Sequence, residues 1–104
     1  MLSHLQREKL IANWGQKAES LECKAEVKIH DPLTGWKCYI FALNPDTDEI
    51  LCIIKASKYF AAVVTDWNLG ELALTYNAYG EAPQVDEEYR PRYVQEILKK
   101  LRGE

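Results

Sequence analysis

Residues 36–55, WKCYIFALNPDTDEILCIIK, decide the fold. Two apolar runs flank Asn44-Pro45-Asp46-Thr47-Asp48, a cluster of turn-forming residues. Each run is short and rich in β-branched or aromatic side chains, so the segment predicts a strand over 36–43, a turn, and a strand over 49–55. Towards the N-terminus, Cys23, Ala25, Val27 and Ile29 alternate with Lys24, Glu26, Lys28 and His30. That period of two predicts a half-exposed strand, joined to the next by the turn Asp31-Pro32-Leu33-Thr34-Gly35.

Helices are expected outside this sheet. Ser3 followed by Gln6 is a capping-box pattern, and Leu10, Ile11, Trp14, Ala18 and Leu21 recur at helical spacing. They predict a helix over residues 4–19, with Gly15 as an unfavourable interior residue. Beyond the hairpin, residues 60–65 read as a fourth strand. Asn68 and Glu71 make a second capping box, opening a short helix to about Tyr76. A loop over 77–83 follows, then a short strand over 85–89. Pro91 suits the first turn of a last helix with an apolar stripe of Tyr93 or Val94, Ile97, Leu98 and Leu101. Lys99, Lys100 and Arg102 favour its C-terminal end, and Gly103 can stop it. The expected fold class is α+β, in one domain over 1–104: an antiparallel sheet of four to five strands with an N-terminal helix, a short middle helix and a C-terminal helix.

Simple hairpin pairing predicts a register. It places Ala25, Val27 and Ile29 on one face with Tyr39, Phe41, Leu43, Ile50, Cys52 and Ile54, which would be the core. The opposite face would carry Cys38, Ile40, Ala42, Leu51 and Ile53. A strand apolar on both sides is covered on both sides, so a helix or another molecule is expected there. A slip of one residue would exchange the faces.

With 104 residues, 47% hydrophobic and 28% charged, the chain can form one real core. The net charge of -3 argues against a nucleic-acid binder, which usually shows a basic balance. No apolar run approaches membrane-spanning length, and the start of the chain lacks a signal-peptide pattern. The expected setting is therefore cytoplasmic, with no membrane. Cys23, Cys38 and Cys52 are odd in number and show no C-x-x-C spacing, which suits buried, reduced thiols. No catalytic set, metal site or cofactor is expected.

Several segments, in order, carry a resemblance: REKLIAN at 7–13, VKIHDP at 27–32, CYIFALNP at 38–45, NLGEL at 68–72, and Asp86 with Tyr89-Arg90-Pro91. Together they resemble a family catalogued only as a domain of unknown function. Its members are carried by plasmids, phages and other mobile elements, often near antirestriction genes. The resemblance covers nearly the whole chain and implies a compact α+β fold and a mobile-element origin. It implies no reaction. The chain departs from the family at Cys38 and Ala42, where a tryptophan and a glutamate are usual, and at Gln84-Val85, where Glu-Arg is common.

Three functional readings follow. The leading one is a non-enzymatic protein-binding module, acting on another protein or on a second copy through Trp36, Ile40, Leu51, Ile53 and Trp67. A component of host defence is one such partner. Its basis is the apolar second face and the aromatic supply. The alternative is a small enzyme or ligand-binding protein using the cluster Asp86, Glu88, Tyr89 and Arg90, with carboxylates for acid–base work and Arg90 for an anion. That reading requires the four to converge in one pocket. A third is weak nucleic-acid binding through Lys99, Lys100 and Arg102.

Overall fold

The computed structural model describes residues 1–16 and 21–103. Helix α1 (His4–Gln16) begins at the expected capping box. The Ser3 Oγ accepts from the Gln6 N–H at 3.1 Å, and the Gln6 side chain accepts from the Ser3 N–H at 2.9 Å. The expected continuation to 19, with Ala18, lies outside the described residues. Next come β1 (Lys24–Ala25), β2 (Val27–His30), β3 (Lys37–Leu43), β4 (Glu49–Lys55) and β5 (Val63–Asn68). The chain ends with α2 (Leu69–Ala73), β6 (Gln84–Val85), β7 (Arg92–Tyr93) and α3 (Val94–Arg102). The architecture is α+β. Five strands form an antiparallel sheet in the order β5-β4-β3-β2-β6, and β1 pairs with β7 in a separate two-stranded piece.

The single strand expected over 23–30 is cut at Glu26, where β1 leaves the main sheet for β7. The strand expected over 85–89 stops at Val85, and the acidic run beyond it turns instead. The last helix starts at Val94 rather than Pro91, because Arg92 and Tyr93 are committed to the ladder with β1. The fourth strand begins at Val63, since residues 57–60 form a turn closed by the Phe60 N–H on the Ser57 carbonyl at 3.2 Å.

The register differs from the simple one for two physical reasons. Asp31 pairs with Trp36 across a tight loop in which Gly35 takes a φ of 77°. Val27 is therefore opposite Ile40, and Ile29 opposite Cys38. Second, β3 carries a bulge at Phe41, between the pairs Ile40–Cys52 and Ala42–Leu51. The face shared by Val27, Ile29, Leu43, Ile50, Cys52 and Ile54 thus includes Cys38 and Ile40. Tyr39 and Phe41 turn to the other face, with Ile53 and Ala25. The Asn13 amide of α1 donates to the Phe41 carbonyl at 2.9 Å, satisfying an acceptor at the bulge.

Both faces are covered from within the chain. Leu10 of α1 and Leu69 and Leu72 of α2 pack on the first. Val94, Ile97, Leu98 and Leu101 of α3 pack on the second. All three cysteines are buried. A hydrogen bond with Cys52, then burial, pushes the Cys38 thiol well above its ordinary pKa. Among the described residues, no helix is long and apolar enough to cross a membrane.

Candidate functional site

The stretch from Asp86 to Arg92 is a strap that crosses from β6 to β7, and it builds the site. The Asp86 N–H donates to the Lys28 carbonyl at 2.9 Å, extending the β6 edge by one bond. The Asp86 carboxylate accepts from the Glu88 N–H at 3.0 Å, and its carbonyl accepts from the Tyr89 N–H at 3.2 Å. This aspartate turn explains why the acidic run does not continue as a strand. It swings Tyr89 inward, where its ring meets Tyr39 edge-on at 5.8 Å. The Tyr89 hydroxyl donates to the Ala25 carbonyl at 2.8 Å, tying the strap to β1.

Asp86, Glu88, Tyr89 and Arg90 line one cleft of about 410 Å³, between the strap, the sheet and α3. The structure thus brings the four residues together. It adds residues that the sequence reading did not assign to this cluster: Lys28 and Lys37 from the sheet, Arg92 from the strap and Lys100 from α3. Lys28 lies 3.2 Å from the Asp86 carboxylate and 5.7 Å from the centre of the Tyr39 ring. Lys37, Arg90, Arg92 and Lys100 form no ion pair among the described residues. A broader cleft of about 720 Å³ opens on the other side of Asp86 and Tyr89, beneath the first turn of α1. Lys28 is the one basic side chain among the described residues that line it.

The local electrostatics follow from this packing. Partial burial works to raise Asp86, but the Glu88 N–H, the Lys28 ammonium and His30 outweigh it, holding the carboxyl below its ordinary pKa. Burial, only partly offset by the Arg92 N–H, pushes the Tyr89 phenol up to about 12. Neither group is poised for proton transfer near neutrality. His30 keeps its Nδ1 sealed from solvent without a hydrogen-bond partner among the described residues.

The expected interaction residues do not form a surface. Ile40 and Ile53 are fully buried, on opposite faces, because the chain's own helices cover both. Leu51 is half-buried against the α3 side. Trp36 and Trp67 are half-buried on the other side, their rings 6.4 Å apart. No family model, curated protein or solved structure matches the chain.

Proposed function

We infer that this protein binds a small phosphate-bearing anion in the cleft between the strap and α3. The observation that carries this reading is the gathering of five basic side chains against three carboxylates in one cleft of a chain whose net charge is -3. Four of those five cations are not neutralised by an ion pair among the described residues. Two of them are arginines, whose planar fork suits phosphate oxygens. The volume suits a ligand of nucleotide size or smaller. A depressed Asp86 and a raised Tyr89 favour binding over acid–base catalysis.

Inorganic pyrophosphate, titrated while amide proton–nitrogen spectra are recorded, tests the reading. Saturable shifts confined to residues 86–92, to α3 and to the sheet around Lys28 and Lys37 are expected. Arg90→Gln combined with Arg92→Gln should weaken the interaction by at least about tenfold, the loss expected when charge-assisted bonds are removed. Shifts that grow linearly with ionic strength, or that ignore the double substitution, would overturn it.

A further inference from the structure

Among the described residues, the sheet leaves one long edge bare: strand β5 pairs with β4 on one side only. The Leu69 N–H donates to the Asp48 carbonyl at 2.9 Å. That bond continues the β4–β5 register, in which Trp67, Thr65 and Val63 alternate with Asp66 and Val64. By the alternation of an antiparallel ladder, Trp67, Thr65 and Val63 share their bonds with β4. Val64 and Asp66 therefore direct their N–H and C=O groups outward; the Asp66 carbonyl accepts from the Thr65 hydroxyl at 3.3 Å, and the two N–H groups have no partner among the described residues. Two β-branched side chains on this edge are exposed, Val63 at 54% and Val64 at 37%. At its far end, Asp66, Glu49 and Glu71 border a shallow hollow, and none of the three is ion-paired among the described residues.

We propose that β5 is a docking edge for an extended segment of another protein, with β-branched residues opposite Val63 and Val64 and a basic residue beside Asp66. A row of outward amides is satisfied by a strand, not by a helix face. Charge selects which strand. Two copies paired about Thr65 would set Val64, not a cation, opposite Asp66 and leave the acidic corner unmatched. A segment carrying Lys or Arg there meets it. Exposed apolar area beside an unpaired edge marks an interaction surface on a folded protein. The edge lies across the sheet from the strap, so this proposal stands apart from the anion cleft.

Selection of random decapeptides displayed on phage against the full chain tests the proposal. The expected winners alternate β-branched residues and carry Lys or Arg near one end. Val64→Pro removes one outward donor without touching the β4 ladder and should weaken a selected peptide by about tenfold or more. Asp66→Lys should turn the selection towards acidic peptides. Methylating alternate backbone nitrogens of the selected peptide should abolish binding, a readout that needs no variant to fold. Winners that bind Val64→Pro and the methylated form unchanged would overturn the proposal, as would a selection that enriches nothing. A dimer seen by light scattering and dissolved by Val64→Pro would assign the edge to a second copy instead.

Discussion

At one side of the sheet, β6 is two residues long, and the chain beyond it folds back as a strap. Its border is occupied by the Lys28–Asp86 ion pair and by Tyr89 packed on Tyr39. At the other side, β5 runs for six residues with the outward N–H groups of Val64 and Asp66 unpaired among the described residues and with Val63 and Val64 exposed. Proteins usually blunt a free edge with short strands, charges or a covering segment. The first edge has all three, whereas the second has only Asp66. The difference teaches where the chain spends its polar chemistry. The guarded edge becomes a charged cleft, and the bare edge is left in a form that another strand can read.

The comparison depends on α3 and the strap acting as one cover over the sheet. Leu98 is 4% exposed and belongs to the cluster that includes Tyr39, Phe41 and Ile53. Leu98→Ala should therefore cost about 2–5 kcal/mol of stability in a urea titration, the range for a buried leucine. It should also broaden the amide signals of the strap. A cost below about 1 kcal/mol would mean that α3 is loosely laid and that the second sheet face is available after all.

Much of this cover was legible in the sequence, and some was not. The capping box at Ser3, the Asn68 cap on α2 and strand β4 came directly from local patterns, because their partners lie within a few residues. The faces of β3 were read wrongly at Tyr39 and Phe41, since a loop closure at Asp31 and a bulge at Phe41 each change parity by one residue. Nothing local announces either. For the cleft, the Asp86–Arg90 cluster was visible as a run of polar residues. Lys28, Lys37 and Lys100 were not, because they reach the site from three separate elements. Asp31 shows the same limit. It reads as a turn residue, yet its carboxylate also accepts from the distant Asn77 amide at 2.9 Å.

A smaller effect sharpens the guarded side. Tyr89→Phe keeps the ring against Tyr39 and removes the bond to Ala25, so it should cost about 1 kcal/mol. The pH dependence separates this from general loosening. The Tyr89 pKa rises on folding from 10.0 to about 12, so the folded state keeps a proton that the unfolded state loses first. Its contribution is complete below pH 10.0 and disappears as the pH rises through about 12. Stability measured across that window should fall more steeply for the wild type than for Tyr89→Phe. Equal slopes would place the raised pKa elsewhere.

The smallest expected effect is the sharpest test of the contrast between the edges. If Val63 and Val64 serve a partner rather than the fold, replacing both by threonine should change stability by less than about 0.5 kcal/mol, as for other exposed positions. Threonine keeps the β-branched shape and strand preference while making the surface polar. The outward amides remain, so a peptide selected on the wild type should still bind, but more weakly, through its backbone alone. A stability loss above about 1 kcal/mol would instead make the two valines part of the core, despite their exposure of 54% and 37%. The edge would then be bare because the fold needs apolar residues there. Near-neutral stability with weakened peptide binding would separate the two roles: the sheet holds β5 through its inward bonds and its buried neighbours, and the exposed side chains are free for recognition.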